Sequence, residues 1–180
     1  MITLVEYDPT WPATFERLRL IYAAALGSIP VVAIEHVGST AVVGLAAKPV
    51  IDIDIVVARP DLAAATEALG SIGFRALGEC GVADRRAFEQ PEHLPRTHTY
   101  LTEAGCLALR NHLAVRDTLR SDPALRAQYA ERKRELASSA GDMASYVSGK
   151  SAVLRLVLAE AGLTDDELSA IDASNQATIT

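Results

Sequence analysis

The chain has 180 residues, of which 49% are hydrophobic and 5% aromatic, and its formal net charge at pH 7 is −6. This length predicts one domain with enough apolar side chains for a core. The acidic balance argues against binding of extended nucleic acid, which needs clustered Lys and Arg, but it allows a small nucleotide whose charge a metal carries. No stretch is long and apolar enough to predict a membrane-spanning helix.

The first residues and the cysteines point to the cytoplasm. Residues 1–8 lack the basic region and the hydrophobic run of a signal peptide. Cys80 and Cys106 lie at no spacing typical of a metal site, and we expect both thiols to be reduced. Together these features predict a cytoplasmic protein.

The first half of the chain alternates between helical and β-prone segments. Thr10 is a predicted N-cap, and Gly27 ends the helix that follows. Cys80–Arg96 is polar and contains two prolines, so it predicts either a loop or a bent hairpin. The other predicted elements are a helix to about Leu26, a strand over Val31–Val37, a loop over Gly38–Pro49, a strand over Val50–Val57, a helix from Asp61 to about Leu69, a weak strand over Phe74–Leu77 and a strand over Thr97–Thr102.

From Cys106 onward the pattern is helical, and Asp172–Thr180 is predicted to be frayed. Helices are predicted over Leu107–Arg120, from Asp122 to about Ala137, from Asp142 through Val157, and from Thr164 onward. We therefore expect an α+β protein with about four strands in a single domain over residues 1–165. Its α/β core extends to about residue 104, its helical part covers about 105–165, and a short helix with a frayed tail covers 166–180.

Two acids interrupt the most apolar predicted strand. Asp52 and Asp54 lie at i and i+2, so their side chains leave the strand on the same face. Neighbouring carboxylates repel each other unless a cation neutralises them, and Mg²⁺ prefers oxygen ligands. The alternative is a half-exposed strand with polar residues facing water, although Asp is among the residues least favoured in strands. The pair predicts a metal site.

A Gly-Ser-Thr turn precedes this strand. The backbone N–H groups of Gly38, Ser39 and Thr40 are suited to hold a phosphate. Taken alone, the turn equally fits an ordinary strand-to-helix connection with Ser39 as N-cap. Because it comes just ahead of Asp52 and Asp54, it predicts one site in which the turn binds phosphates and the acids bind a metal on the same phosphates.

Motifs along nearly the whole chain match the pattern of one known family. The most specific are His36-Val37-Gly38-Ser39-Thr40-Ala41-Val42, Gly44-Leu45, Lys48-Pro49 and Ile51-Asp52-Ile53-Asp54. Others are Tyr7-Asp8-Pro9 with Trp11, Arg96-Thr97-His98, Arg116-Asp117, Leu119-Arg120, Tyr129, Lys133, Tyr146 and Gly149-Lys150. Over roughly residues 3 to 162, the chain resembles the GrpB family.

This resemblance implies a fold, a ligand and a set of site residues. GrpB proteins share the nucleotidyltransferase fold of DNA polymerase β, which implies a mixed β-sheet flanked by helices with a helical C-terminal half. The resemblance implies that Gly38 and Ser39 contact a nucleoside triphosphate, and that Asp52 and Asp54 ligate Mg²⁺ (or Mn²⁺) and serve catalysis. Some family members are fused to dephospho-CoA kinases, which implies a link to nucleotide or coenzyme A metabolism.

The chain departs from the family pattern in two places. Val43 stands where the family usually has Pro, and the segment after Arg-Thr-His continues as Thr99-Tyr100-Leu101 instead of with further histidines. Nucleotidyltransferases commonly carry a third carboxylate on a neighbouring strand as general base. No acid occupies residues 97–102, which leaves Glu103 just beyond them. His98 is a candidate base or ligand if its strand adjoins the strand of Asp52.

Basic residues supply further candidates for phosphate contacts. Lys48 lies in the extended segment before a proline, and Arg116 and Lys150 lie in the helical half. His36, beside the turn, is expected either to hydrogen-bond the backbone or to contact phosphate. Arg85-Arg86 and Arg96 lie in or beside a predicted loop, where substrate-binding residues concentrate, but we favour the alternative of an exposed, solvated pair.

Two main hypotheses of different classes follow. In the first, the protein binds a Mg²⁺–nucleoside triphosphate and transfers a nucleotidyl group to a small-molecule or protein hydroxyl by in-line attack on the α-phosphate. In the second, it is a non-catalytic nucleotide- or coenzyme-binding module that regulates or scaffolds a partner enzyme, which the missing third acid favours. A helical interaction protein with an incidental acidic strand is the third reading. Acceptor, base preference and oligomeric state stay open.

Overall fold

The chain folds into a five-stranded mixed β-sheet with helices packed on both faces. The computed structural model describes residues 3–177. The strands are β1 Val31–Val37, β2 Ile51–Val57, β3 Arg75–Gly78, β4 Arg85–Glu89 and β5 Thr97–Glu103. The helices are α1 Trp11–Leu26, α2 Leu62–Ser71, α3 Leu107–Ser121, α4 Pro123–Ser139, α5 Met143–Ser148, α6 Ser151–Glu160 and α7 Asp165–Ala177, and 3₁₀ turns cover Ser39–Ala41 and Arg59–Asp61.

The sheet has the order β1-β2-β5-β4-β3, with β2 and β5 parallel and every other pair antiparallel. Its register places Asp52 beside His98, and Asp54 beside Tyr100. On the other side of β2, Glu35 stands opposite Asp54. Because neighbouring residues in register share a face of the sheet, these five side chains lie on one polar face.

The opposite face of the sheet is apolar and carries the main core. Ile53 and Ile55 of β2 are completely buried and pack with Phe15, Leu18 and Tyr22 of α1. The three residues of α1 repeat at spacings of three and four, which places them on one side of the helix. Each such buried side chain contributes about 2 kcal/mol relative to exposure. The alternation along β2 therefore separates a core face from the face that carries the acids.

The helical half covers the polar face. Helix α3 packs against β1 and β5, and α4 and α6 pack against α3. A second buried cluster joins these helices to the turn after β1; it comprises Val42, Leu45, Leu119, Tyr129, Val153 and Val157. The turn that follows β1 is thus fixed by residues far away in the sequence.

Strand β4 lies inside the polar segment that predicted either a loop or a bent hairpin. It pairs with both β3 and β5, so the bent hairpin is the alternative that forms, and the sheet has five strands instead of about four. The prediction that Arg85 is exposed is wrong: it is 8% exposed, with its guanidinium 4.3 Å from the ring centre of Tyr100. Arg86 faces the other side of the sheet and is half-buried, because it donates hydrogen bonds to the carbonyl of Leu62 and the hydroxyl of Thr66 on α2; the prediction that it is exposed is also wrong.

Two predictions for the C-terminal region are also wrong. The helix expected from Asp142 through Val157 is divided into α5 and α6 near Gly149. A Cβ atom at Gly149 would lie 2.4 Å from Cδ2 of Leu136, so α4 approaches the backbone closely at this break. The fraying expected from Asp172 is not found as far as Ala177, because α7 continues to that residue; residues 178–180 lie outside the described part of the chain.

Within residues 3–177 no helix combines the length and apolar composition needed to cross a membrane. In the same part of the chain, Cys80 and Cys106 do not form a disulfide.

Candidate functional site

A cavity of about 280 Å³ lies between the polar face of the sheet and the helical half; we call it the Asp52 cavity. It brings together most of the site residues that the sequence predicted, namely Gly38, Ser39, Thr40, Lys48, Asp52, His98 and Lys150. Asp54 lies behind this group and is completely buried. The turn, the first acid and two predicted phosphate contacts therefore converge on one space.

Gly38 lies directly against Asp52. Its φ is +68°, and a Cβ atom at this position would lie 2.1 Å from Oδ2 of Asp52 and 2.7 Å from its Cγ. Only glycine permits both this backbone conformation and this close approach. The turn and the first acid, which the sequence assigned to one site, are in contact.

Asp54 is a buried carboxylate with one satisfied oxygen. Its Oδ2 accepts a hydrogen bond of 2.8 Å from Nδ1 of His112 on α3, whereas Oδ1 has no hydrogen-bond partner. Burial disfavours the protonated imidazole of His112, but the charge and hydrogen bond of Asp54 outweigh burial and raise the pKa of His112. A buried oxygen without a donor is unfavourable, and a cation beside Asp54 would remove that penalty.

Asp52 is held from the neighbouring strand. Its Oδ1 accepts a hydrogen bond of 2.7 Å from Nδ1 of His98, and part of the carboxylate is exposed toward the cavity. Strand β5 adjoins β2, which is the condition under which His98 is a candidate base or ligand. The two acids and His98 form no group of three ligands arranged around a cation, and no such group of His, Cys, Asp or Glu occurs elsewhere in residues 3–177. Two carboxylates still fit Mg²⁺, which usually keeps several waters and takes phosphate oxygens as ligands.

Tyr100 of β5 stands beside Asp54, so a phenol and not a carboxylate faces the second acid from this strand. Burial, together with the charge of Asp52, raises the pKa of Tyr100 to about 12, so its phenol is protonated at neutral pH. Glu103 lies at the far end of β5 and pairs with Arg59 at 2.7 Å. On the other neighbouring strand, Glu35 shares the polar face but pairs with Arg116 at 2.6 Å.

All three lysines of the chain line the Asp52 cavity: Lys48, Lys133 and Lys150. The amines of Lys48 and Lys150 lie 5.6 and 4.7 Å from the ring centre of Tyr146. Lys133 is 3% exposed, and its amine donates a hydrogen bond of 2.6 Å to the carbonyl of Ala46. Apart from the histidines, all other basic residues of the chain are arginines. Lysine side chains therefore occur at this cavity and nowhere else in the chain.

Burial lowers the pKa of all three lysines below the ordinary value of 10.5. The charge of Lys150 adds to this effect at Lys48 and Lys133, whereas Asp52 opposes it. The pKa of Lys133 falls to about 7. A polyanion in the cavity would oppose these shifts, because its negative charge favours the protonated form of all three amines.

Two predicted candidates make other contacts. Arg116 does not line the Asp52 cavity; its guanidinium donates to Glu35, to the carbonyl of His36 and to Asp117. His36 stacks on Phe15 with ring centres 4.8 Å apart, and its Nε2 lies 3.0 Å from the hydroxyl of Thr40. Burial lowers the pKa of His36 to about 4, so its ring is neutral at pH 7. Of the two roles expected for His36, a hydrogen bond within the protein and a phosphate contact, the structure has the hydrogen bond, but its partner is the hydroxyl of Thr40 and not the backbone.

His112 and Lys133 belong to the site although the sequence did not single them out as candidates. The signal that could have found Lys133 is its position on α4, because it follows Tyr129 by four residues and precedes Leu136 by three, on the buried side of the helix. A lysine on a buried stripe requires a specific reason. His112 has the same relation on α3, because it follows the buried Ala108 by four residues and precedes Val115 by three.

A family profile described as GrpB protein matches residues 1–160. The chain belongs to the GrpB family. It is 38% identical over 167 residues to the UPF0157 protein SCO7215 of Streptomyces coelicolor, an alignment that covers 89% of this chain and 84% of the relative. It spans 44% of the length of another relative, the UPF0157 protein YqkA of Bacillus subtilis, at 32% identity over 83% of this chain.

The solved structure of the conserved protein GrpB from Enterococcus faecalis superposes with a TM-score of 0.78 and 28% identity, covering 88% of this chain and 96% of that one. The predicted fold class is confirmed as an α+β protein with a mixed sheet flanked by helices, and this fold is shared with the GrpB protein of Enterococcus faecalis. A partial overlap, with a TM-score of 0.46 and 15% identity, exists with Cid1 in complex with the UTP analogue UMPNPP, covering 84% of this chain and 49% of Cid1.

Proposed function

We propose that the Asp52 cavity binds a Mg²⁺–nucleoside triphosphate. The convergence of all three lysines on a cavity that also contains Asp52 carries this proposal. In a chain of net charge −6, the meeting of one buried and two half-buried lysines favours a strongly anionic ligand. Lysine is a common phosphate ligand, and the Gly38–Ser39 turn adds backbone N–H groups on the same side.

Asp52 and Asp54 are the residues that would hold the cation. Asp54 offers Oδ1, which is buried and has no other partner, and Asp52 offers the exposed part of its carboxylate. When bound, Mg²⁺ (or Mn²⁺) neutralises charge on the phosphate oxygens and orients them. His98 and His112 fix the two carboxylates from outside, which limits the positions that their oxygens can take.

The reaction that this arrangement suits is transfer of a nucleotidyl group to a hydroxyl of a small molecule or a protein. The hydroxyl oxygen forms a bond to the α-phosphorus, the bond from that phosphorus to the bridging oxygen of the β-phosphate breaks, and pyrophosphate leaves. Lys48, Lys133 and Lys150 would stabilise the charge of the leaving pyrophosphate. His98 is the candidate acceptor of the hydroxyl proton, since no carboxylate of β5 faces the two acids.

The second candidate function is a non-catalytic nucleotide- or coenzyme-binding module that regulates or scaffolds a partner enzyme. The observation that favours it is Tyr100, a protonated phenol at the position where a catalytic carboxylate is common. Both candidates place the ligand in the same cavity, and for both we expect the protein to act in the cytoplasm.

Calorimetric titration with ATP, GTP, CTP and UTP, with and without Mg²⁺, tests binding. We expect Mg²⁺-dependent binding that weakens at least tenfold in Asp52→Asn/Asp54→Asn. The matched control is Asp61→Asn/Glu67→Gln, which removes two carboxylates at the start and middle of α2, on the other side of the sheet. The proposal fails if none of the four nucleotides binds, or if the two double variants behave alike. Release of pyrophosphate with candidate hydroxyl acceptors then separates the transferase from the binding module.

Lysine acylation provides a second test, because the chain contains only three lysines. Mass spectrometry should show that Mg²⁺–ATP protects Lys48, Lys133 and Lys150 from an amine-directed reagent. The same protein modified in denaturant serves as the reference for full reactivity. Unchanged labelling of all three lysines at saturating nucleotide would place the ligand elsewhere.

A further inference from the structure

A second cavity, of about 190 Å³, lies on the same polar face of the sheet, beyond Tyr100; we call it the Arg85 pocket. It lies between the start of β4, helix α3 and helix α7, and its polar lining includes Asp84, Arg85, Asn111, His112 and Asn175. His112 also lines the Asp52 cavity, so one side chain separates the two spaces.

Arg85 is the unusual member of this pocket. It is 8% exposed, its Nε has no hydrogen-bond partner, and no carboxylate within residues 3–177 forms an ion pair with it. Its guanidinium instead lies over the ring of Tyr100, at 4.3 Å. The acid next to it in the chain is engaged elsewhere, because Oδ1 of Asp84 accepts a hydrogen bond of 3.0 Å from Arg59. A buried cation in this state needs an anion.

The pocket is closed by a helix that lies beyond the family match. The GrpB profile ends at residue 160, whereas α7 begins at Asp165 and contributes Ile171 and Asn175 to the wall. Helix α7 is fixed in place, because Leu168 and Ile171 are buried against Leu158 of α6. Arg110 of α3 and Arg155 of α6 also pair with acids of this helix.

We infer that the Arg85 pocket is the acceptor subsite and binds an anionic group, a carboxylate or a phosphate, on the molecule that receives the nucleotidyl group. This inference rests on the proposed function, since an acceptor exists only if transfer occurs. Arg85 supplies a guanidinium suited to planar or tetrahedral oxyanions, and Asn111 and Asn175 supply amide groups. With its anion in the Arg85 pocket, the acceptor extends past His112 and places its hydroxyl in the Asp52 cavity, beside Asp52 and the triphosphate.

The test follows the Nε–H signal of Arg85 by ¹H–¹⁵N NMR during titration of the full chain with inorganic phosphate and, separately, with acetate. We expect a saturable shift with at least one anion, and the anion that saturates at lower concentration identifies the group as phosphate or carboxylate. The Nε–H signal of Arg75 is the control, because this exposed arginine of β3 already pairs with Glu89. Absence of a saturable shift at Arg85 with both anions overturns the inference.

Anions also have affinity for the lysines, so the titration is repeated with Lys150→Met. A shift at Arg85 that persists in this variant supports a separate subsite, and one that disappears overturns it. Thermal denaturation adds a second comparison, in which each variant is measured with and without the anion: Arg85→Met should lose the stabilisation by the effective anion, whereas Arg75→Met should keep it. Equal stabilisation of both variants argues against the subsite.

Mg²⁺–ATP binding to the unmodified chain is measured in parallel, which separates the two proposals. If Mg²⁺–ATP binds but Arg85 does not respond to anions, the acceptor subsite is wrong and the proposed function stands. If Arg85 responds but Mg²⁺–ATP does not bind, the proposed function is wrong, the pocket is an anion site, and its role as acceptor subsite is withdrawn.

Discussion

Gly38 and Asp52 approach so closely that one added methyl group at residue 38 would overlap the carboxylate. An alanine Cβ would lie 2.1 Å from Oδ2 of Asp52. The contact joins the end of β1 to the start of β2, and it fixes the turn and the first acid of the proposed metal site relative to each other.

Gly38→Ala should therefore lower both the unfolding free energy and the nucleotide affinity more than a Gly→Ala substitution at a position without such a contact. The variant combines a positive φ, which costs about 1–2 kcal/mol for a residue with a Cβ, with overpacking that costs about 1–3 kcal/mol. We expect both effects in urea denaturation, and at least a tenfold loss of Mg²⁺–nucleotide affinity. Gly44→Ala is the matched control, since Gly44 has a φ of +78° and no atom within 4 Å of an added Cβ. Equal losses in the two variants would show that contact with Asp52 is unimportant.

Binding of nucleotide should be coupled to proton uptake at Lys133. Its pKa is about 7 in the ligand-free protein, so at pH 8 the amine is mostly neutral, and a bound triphosphate favours the charged form. Affinity should fall as pH rises above about 7, and calorimetry in buffers of different ionisation enthalpy should show protons taken up. Lys133→Met should reduce this uptake. Uptake that is unchanged in Lys133→Met would assign the proton to another group.

His112→Ala should destabilise the protein chiefly through Asp54. The substitution removes the donor to Oδ2 and leaves a buried carboxylate with no hydrogen-bond partner. We expect a loss of roughly 3–5 kcal/mol in unfolding free energy, as for other buried pairs that lose one member. Adding Asp54→Asn should recover part of this loss, and a double-mutant cycle measures the coupling. Additive effects of the two substitutions would contradict a direct pair.

His36 should make the protein sensitive to mild acid. Its pKa is about 4 when folded and 6.5 when unfolded, so the unfolded chain binds the extra proton between these values. Stability from neutral His36 is present above pH 6.5 and is lost as pH falls toward 4, by roughly 3 kcal/mol in total. His36→Gln should flatten the dependence of unfolding free energy on pH in this range. His93→Gln, at an exposed histidine, should leave it unchanged; a slope shared by all three proteins would exclude His36 as the cause.

The elements that the sequence predicted well are those in which local pattern and tertiary packing agree. Strand β2 alternates isoleucine with aspartate, so its two faces are already distinct in the chain. Strand β4 was ambiguous because Arg85 and Arg86 resemble loop residues until the sheet buries the first of them. The division of α5 from α6 depends on the approach of Leu136 to Gly149, which no local pattern contains.

The sequence by itself determined that Asp52 and Asp54 share one face and that a Gly-Ser turn precedes them, because alternation along a strand and backbone conformation at glycine are local properties. Only the tertiary structure decided what surrounds them. Lys48, Lys133 and Lys150 meet through the packing of α4 to α6, and Tyr100 stands beside Asp54 through the parallel pairing of β2 with β5. These neighbours come from contacts between distant segments. The three lysines determine the ligand class that we propose, and the pairing of β2 with β5 places Tyr100 instead of a carboxylate beside Asp54.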